Sequence, residues 1–209
     1  QLVRASTAAP TFFPPEIVKF AGDTAKPYEF VFVDGGVTTY NNPAFLAFLM
    51  VTAAPYKINW PTGDDKLLIV SVGTGSAAKA RPGIDADDLW LLDNAKNLPG
   101  ALMNAAAAGW DMACRIVGDC RFGPAIDREI NNLVPTPDAP ATSTIPKQFA
   151  YVRYDPNVSQ DGLNQLGLNN IKAQKVQVMD SVENMAEIQR VGTTYAAQKV
   201  SLDHLRGFA

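Results

Sequence analysis

One short apolar run constrains the fold of this chain more than any other feature. The segment "KLLIVSV", from Lys66 to Val72, is almost continuously apolar and ends at the glycine-containing turn Gly73-Thr74-Gly75. A run this short, closed by glycines, is typical of a strand that is covered on both faces in an α/β sheet. We therefore predict a buried strand over residues 66–72.

A second strand precedes it. The segment "YEFVFV", from Tyr28 to Val33, is aromatic and β-branched and runs into the tight turn Asp34-Gly35-Gly36. Between the two strands, Asn42 is a good N-cap and Pro43 fits the first position of a helix that continues towards Pro55. That helix is apolar nearly all round, so we expect it to be buried. The order strand, helix, strand predicts a βαβ crossover and a parallel pair.

The remaining pattern predicts helices around one further strand. It predicts an alanine-rich helical segment over residues 87–117 with a break at Pro99-Gly100. A surface loop over 134–146 and a strand over 147–155 follow. Asp180 and Glu183 are predicted to cap a final helix that continues to about His204. The alanine-rich segment either covers an acyl-binding cavity or packs as a helical layer.

Composition excludes several classes of function. The 209 residues carry a net charge of -3 without a basic stripe, so nucleic acid is not an expected partner. Two cysteines and one histidine are too few for a structural zinc site, and we expect Cys114 and Cys120 to be a reduced pair. No apolar run approaches the roughly 18–20 residues of a membrane-spanning helix, so lipid contact is expected to be peripheral.

The first residues, "QLVRASTAAPTFFPP", contain neither a starting methionine nor a signal peptide. We expect an upstream part that was removed or that exists as a separate polypeptide. The predicted location is the cytoplasm or a membrane surface.

The turn at Asp34 is the strongest candidate for a site, because function in open α/β sheets collects beyond the carboxyl ends of strands. Gly35 and Gly36 allow close backbone approach and permit positive φ angles. A plain turn is the alternative, since Asp-Gly is a common turn dipeptide.

Two motifs together resemble the signatures of patatin-like phospholipases. They are "RASTAAPTFFPP" (Arg4 to Pro15) and "VDGGVTTYNNPA" (Val33 to Ala44), and the "LLIVSVGTG" strand is also similar to the family pattern. The resemblance covers Arg4 to Gly75. It implies a three-layer α/β sandwich with a mainly parallel central sheet, of which residues 1–209 supply the C-terminal half of a single domain.

The same resemblance implies a function. Asp34 would be the aspartate of a catalytic Ser-Asp dyad, with Gly35 and Gly36 shaping its turn. The activity would be that of a serine-type, phospholipase A-like lipid acyl hydrolase that acts on a lipid or other ester through an acyl-enzyme. No metal or organic cofactor is implied.

The chain departs from the family pattern in one respect. Neither the G-x-S-x-G nucleophile elbow nor a glycine-rich oxyanion loop occurs in the 209 residues, and Ser6, Ser71 and Ser76 lack the elbow spacing. We expect an N-terminal fragment of the same protein to carry both, so that this chain alone is inactive. The alternative is a non-catalytic lipid-binding or interaction module with the patatin fold.

Other residues leave two interpretations open. His204 either belongs to a histidine-dependent triad or is a solvated or helix-end histidine. Phe12 and Phe13, like Trp90 and Trp110, line an active-site mouth or pack in the core. Arg4 anchors either a carboxylate or only the edge of a strand.

Overall fold

The computed structural model describes residues 1–10, 12–20, 28–77, 91–127, 129–140, 142–178 and 180–208. It is an α/β structure with helices α1 (Leu2–Ser6), α2 (Ala44–Thr52), α3 (Leu91–Val117), α4 (Gln160–Gln165), α5 (Ala173–Val176) and α6 (Met185–Lys199), and strands β1 (Glu16–Phe20), β2 (Tyr28–Phe32), β3 (Leu68–Val72), β4 (Asp119–Phe122) and β5 (Ala150–Tyr154). Short 3₁₀ turns cover Gly35–Val37, Ala54–Tyr56, Val182–Asn184 and Leu202–Leu205. None of the helices in these ranges is long and apolar enough to cross a membrane.

The chain divides into two compact units. The first consists of the described parts of Gln1–Pro43 and Ile84–Trp110. Its strands β1 and β2 pair antiparallel, with Val18 opposite Phe30 and Phe20 opposite Tyr28. The aromatic rings of Phe20 and Tyr28 stack with their centroids 5.5 Å apart, so side chains across the pair support the register.

The second unit consists of the described parts of Ala44–Gly83 and Asp111–Ala209. Its sheet has the order β3-β5-β4, and both strand pairs are parallel. All five residues of the central strand β5 are buried, as expected for a strand that helices and loops cover on both faces. The core of this sheet includes Ile69, Cys114, Phe149 and Tyr151, and Phe48 of α2 packs against it.

An ion pair lies inside this core. The Arg115 guanidinium is fully buried and donates two hydrogen bonds, of 3.1 and 2.6 Å, to the carboxylate of Asp111. It also donates to the carbonyl oxygens of Pro124 and Asn132, and the Tyr151 hydroxyl donates to Asp111 at 2.8 Å. Each guanidinium nitrogen and both carboxylate oxygens therefore have a hydrogen-bond partner, which is the condition for burying charge without a large penalty.

Cys114 and Cys120 are both buried and free, so the predicted reduced pair is confirmed. Burial raises the pKa of each thiol to about 12. The two residues therefore act as small apolar side chains of the core.

A second cluster of buried aliphatic residues joins α4, α5 and α6. It includes Val158, Leu163, Ile171 and Val191. The Ser159 hydroxyl caps α4 by accepting a 3.1 Å hydrogen bond from the main-chain N–H of Gly162.

The strands near 28–33, 66–72 and 147–155 are confirmed, but the predicted pairing of the first two is wrong. β2 pairs antiparallel with β1, while β3 pairs parallel with β5, which lies about 80 residues further along the chain. Local hydrophobic patterns identify strands but carry little information about a partner this distant.

The predicted burial of helix α2 and of both faces of strand β3 was also wrong. Helix α2 has nearly the predicted bounds, but Leu49 and Met50 are exposed. Strand β3 is covered on one face only, because Val70 and Val72 are 45% and 74% exposed whereas Ile69 and Ser71 are buried.

Two helical predictions need correction as well. α3 continues through Pro99-Gly100 without the predicted break. The proline removes one hydrogen bond and crowds the carbonyl four residues earlier, a local cost that the remaining turns of this 27-residue helix offset. Residues 87–90 lie outside the described part. The final helix α6 ends at Lys199, its N-cap Asn184 makes no capping side-chain hydrogen bond, and His204 lies in a separate 3₁₀ turn. Asp180 and Glu183 therefore do not form the predicted cap.

Candidate active site

Asp34 lies just beyond the carboxyl end of β2, where hydrogen bonds fix both its backbone and its side chain. Its main-chain N–H donates to the carbonyl oxygen of Ala8 at 3.0 Å. Its Oδ1 accepts a 2.7 Å hydrogen bond from the N–H of Gly36 and so caps the 3₁₀ turn Gly35–Val37. Oδ2 accepts no hydrogen bond from any described residue. One oxygen of this half-buried carboxylate thus orients the group, and the other is available as a proton acceptor.

The two glycines of the turn differ in their surroundings. A Cβ at Gly36 would lie 3.0 Å from Oδ1 of Asp34 and 3.3 Å from Oδ1 of Asn41, whereas a Cβ at Gly35 would meet no atom within 4 Å. Neither glycine has a positive φ, so the argument from backbone conformation is wrong. A side chain at position 36 would instead require the neighbouring side chains, including the Asp34 carboxylate, to move by a few tenths of an ångström.

Two asparagines connect the segment after this turn to helix α3. The side-chain Nδ2 of Asn41 donates to the carbonyl oxygen of Met103 at 2.9 Å. That of Asn42, which is 1% exposed, lies 3.5 Å from the carbonyl oxygen of Ala107. Both acceptors lie on α3 one helical turn apart, so the pair fixes the turn against one stretch of this helix.

A cavity of about 670 Å³ opens beside the turn. Backbone and side chains of residues 36–39 form one wall, and Leu98, Leu102 and Met103 of α3 contribute to the other. Its size and apolar lining are typical of small-molecule sites. The alanine-rich segment therefore borders a cavity, and that this cavity binds an acyl chain stays a prediction.

A polar network at the carboxyl ends of β3 and β5 was not predicted from the sequence. Arg153 donates to the Ser71 hydroxyl at 2.8 Å and to Asp155 at 3.2 Å, and Asp155 accepts a 3.0 Å hydrogen bond from the N–H of Gly75. A Cβ at Gly73 would lie 2.1 Å from Oδ1 of Asp155. The absence of a side chain at Gly73 therefore lets this turn pack tightly against the network. The Arg-x-Asp spacing at the end of a strand was the available signal.

The three candidate serines differ in their surroundings. Ser71 is buried, and its hydroxyl accepts a hydrogen bond from Arg153, a permanent cation that cannot act as a base. Ser76 forms a main-chain bridge with Asn157, and Ser6 is exposed in α1. None of these positions is the strand-to-helix elbow that exposes a nucleophile.

His204 packs between aromatic side chains. Its ring stacks on Phe122 with a centroid distance of 4.4 Å, and its Nδ1 lies 2.9 Å from the Tyr154 hydroxyl. Burial lowers the pKa of His204 below its ordinary value, with nearby Asp203 opposing the shift. His204 lies at the end of the 3₁₀ turn Leu202–Leu205, so it is the helix-end histidine that one interpretation predicted, and it is half-buried by these contacts rather than fully solvated.

The remaining candidates are resolved in part. Arg4 anchors a carboxylate, since its Nε lies 2.8 Å from Oε2 of Glu16. Phe12 and Phe13 are 46% and 57% exposed, so core packing within this chain is wrong for both. Trp110 is half-buried, and Trp90 lies outside the described residues. Within the described part of the chain, no group of three metal-binding side chains lies close enough together to hold an ion.

Comparison with known proteins identifies relatives of part of the chain. It is 39% identical to patatin-like protein 1 of Arabidopsis thaliana over 80 residues, which is 35% of this chain and 19% of that protein. It is 32% identical to patatin-T5 of Solanum tuberosum over 83 residues, covering 35% and 20% of the two proteins. The chain is patatin-like over this region. No family model matches it.

The patatin-like resemblance found in the sequence is thereby confirmed. The chain matches about a fifth of the length of these curated relatives. Its α/β fold, with a parallel three-stranded sheet, is compatible with a patatin-like α/β fold.

Proposed function

We propose that this chain is part of a serine-type lipid acyl hydrolase in which Asp34 is the general base of a Ser-Asp dyad. The serine, in a G-x-S-x-G elbow, and the oxyanion hole would belong to a segment of the same protein outside these 209 residues. The proposed fold is a three-layer sandwich to which this chain contributes the C-terminal half.

The observation that carries the proposal is the hydrogen bonding of the Asp34 carboxylate. The N–H of Gly36 holds Oδ1, while Oδ2 accepts no hydrogen bond from the described residues. A base must be fixed in orientation yet keep one acceptor for the proton of the nucleophile. The hydrogen bond between Asp34 and Ala8 also joins the two sequence motifs on which the family resemblance depends.

The adjoining cavity supports an apolar substrate. Its α3 wall presents Leu98, Leu102 and Met103 about the turn that holds the carboxylate, an arrangement that suits a hydrocarbon chain whose ester lies at the aspartate.

The chemistry proceeds in two steps. Serine Oγ attacks the acyl carbonyl carbon while Asp34 takes its proton, and Asp34 returns that proton to the leaving alcohol as the ester C–O bond breaks. Water then attacks the acyl-enzyme, with Asp34 accepting the proton and passing it to serine Oγ as the fatty acid leaves. Main-chain N–H groups of the oxyanion hole would stabilise the negative charge in both steps.

The test is Asp34→Asn in the complete gene product. The amide retains an oxygen for the Gly36 N–H but cannot act as a base, so hydrolysis of a short-chain p-nitrophenyl ester should fall by roughly 10²–10⁴-fold. Asp127→Asn is the matched control, because Asp127 Oδ1 also accepts main-chain N–H groups in an exposed turn of the other unit.

A fluorophosphonate probe provides a second readout. It should label one serine outside this chain and leave Ser6, Ser71 and Ser76 unlabelled. Unchanged turnover in Asp34→Asn would remove Asp34 from the mechanism. If the gene product shows no labelling and no hydrolysis, the non-catalytic lipid-binding module would replace the enzyme.

A further inference from the structure

The two edges of the parallel sheet are built differently. Edge strand β4 carries charged residues and an irregularity between Cys120 and Phe122. Its Arg121 pairs with Asp119 at 3.3 Å and donates to the carbonyl oxygen of Arg206 at 2.6 Å. Charges and bulges of this kind are how proteins prevent an edge strand from pairing further. These features of β4 disfavour the pairing of a further strand at its edge.

Edge strand β3 has none of these features. Its sequence, "LIVSV", contains no charge and no proline, and its pairing with β5 is regular throughout. Apolar composition of this kind is typical of an interior strand of a parallel sheet. The exposed fractions of Val70 and Val72 contradict an interior position in the chain as it stands.

The backbone of β3 presents unused hydrogen-bonding groups. The carbonyl oxygen of Leu67 accepts from Ala150, and the N–H of Gly73 donates to Tyr154, so the odd-numbered residues 67 to 73 pair with β5. In a parallel strand the alternate residues point their N–H and C=O groups to the other side. Leu68, Val70 and Val72 therefore direct theirs to an edge with no strand among the described residues.

The space beside this edge is apolar. A cavity of about 550 Å³ lies between β3 and α6, and its lining includes Val70, Val72, Ile188 and Val191. Side chains of an added strand would be buried there together with the exposed face of β3. The row of backbone groups needs an extended polypeptide as occupant, since neither a lipid chain nor a helix supplies N–H and C=O groups at strand spacing.

We propose that the open edge of β3 binds a parallel, apolar β-strand from another segment of the same protein. The inference rests on the proposed function in one respect: it assigns this strand to the segment that would carry the serine. A second copy of the chain is the less suitable occupant, because a two-fold dimer through this edge would pair its strands antiparallel in an otherwise parallel sheet.

The experiment is residue-resolved amide hydrogen exchange on this chain and on the complete gene product. In the chain alone, the amides of Leu68, Val70 and Val72 should exchange at least roughly tenfold faster than those of Ile69, Ser71 and Gly73, which serve as internal controls. In the complete gene product, the two sets should be protected alike. Fast exchange of the first set in the complete product would overturn the proposal. So would protection in the chain alone that rises with its concentration, since that outcome identifies a second copy.

Two lysine variants provide an independent check. Val72→Lys places a charge at the proposed interface, and Val182→Lys is its control, since Val72 and Val182 are 74% and 76% exposed. In the chain alone both should leave Tm nearly unchanged. In the complete product only Val72→Lys should lower it, by roughly 5 °C or more, because a buried lysine is costly. Equal effects of the two variants would contradict the proposal.

These readouts do not depend on hydrolysis. If the edge becomes protected while Asp34→Asn remains fully active, the strand pairing stands and the proposed function fails. If Asp34→Asn is inactive while the edge stays open, the proposed function stands and the pairing fails.

Discussion

The main-chain N–H of Asp34 donates a 3.0 Å hydrogen bond to the carbonyl oxygen of Ala8. The two residues lie in separate sequence motifs, and Asp34 also accepts from Gly36 on its side chain. Asp34 is thus held through its main chain as well as its side chain. If Asp34 is the base of the proposed mechanism, small displacements of its turn should lower the activity.

Substitution of the two turn glycines tests this directly. Gly36→Ala would place a methyl group 3.0 Å from Oδ1 of Asp34, whereas Gly35→Ala would meet no neighbouring atom. Because a displacement of about 1 Å costs a catalytic group roughly 10²-fold, we expect Gly36→Ala to lower kcat/KM of the complete gene product by about tenfold and Gly35→Ala to change it by less than about twofold. Steady-state ester hydrolysis measures both. Equal losses would show that the contact at Gly36 does not position the aspartate.

The buried ion pair makes a prediction about stability. Asp111→Ala would leave the fully buried Arg115 guanidinium without its carboxylate, and we expect it to lower the free energy of unfolding by about 3–5 kcal/mol. Glu187→Ala removes the exposed pair with Lys175 and should cost at most about 1 kcal/mol. Urea denaturation of the 209-residue chain measures both values. A loss below about 1 kcal/mol for Asp111→Ala would mean that Arg115 finds other acceptors or water.

Local sequence identified several elements because their signals are short-range. Strand β2, just before Asp34, and the helix from Ala44 are encoded by β-branched and apolar patterns within a few residues. The pairing of β3 with β5 and the hydrogen bond from Arg153 to Ser71 join residues about 80 positions apart, and no local pattern carries that information.

At the candidate site, the sequence predicted the position of Asp34 but not its surroundings. The resemblance marked Asp34, Gly35 and Gly36, and the structure distinguishes the two glycines by the space around them. The contact of Asn41 with Met103 depends on how α3 packs beside the turn, which cannot be inferred from residues 33–44.

Gly73 packs tightly against the Arg153–Asp155 pair, so a side chain at this position should destabilise the chain. An alanine Cβ at this position would lie 2.1 Å from Asp155 Oδ1 and 2.6 Å from Arg153 Nη2, so we expect Gly73→Ala to destabilise the chain by about 1–3 kcal/mol. Gly192→Ala is the control, because Gly192 lies inside α6 with open space around it. Since alanine favours a helix more than glycine does, this variant should be about 0.5–1 kcal/mol more stable. Thermal unfolding should therefore shift in opposite directions for the two variants. A gain for Gly73→Ala would show that the network relaxes without cost.

The lowered pKa of His204 predicts how the stability of the chain depends on pH. Burial lowers the pKa of His204 in the folded chain, with Asp203 opposing and Arg206 adding to the shift, whereas the unfolded chain should titrate near 6.5. The unfolded state then binds more protons between these two pKa values. The stability contributed by neutral His204 is therefore present above about pH 6.5 and is lost as pH falls through this window.

The measurement compares Tm at about pH 7.5 and pH 5.0 in the native chain and in His204→Asn. Other groups titrate in both proteins, so the difference between their pH dependences isolates the histidine. The native chain should lose more stability on acidification than the variant, because protonation of His204 adds a charge between Phe122 and Tyr154 and removes the lone pair at Nδ1 that can accept a hydrogen bond from the Tyr154 hydroxyl. An equal loss in both proteins would mean that His204 remains sufficiently hydrated to titrate as in the unfolded chain.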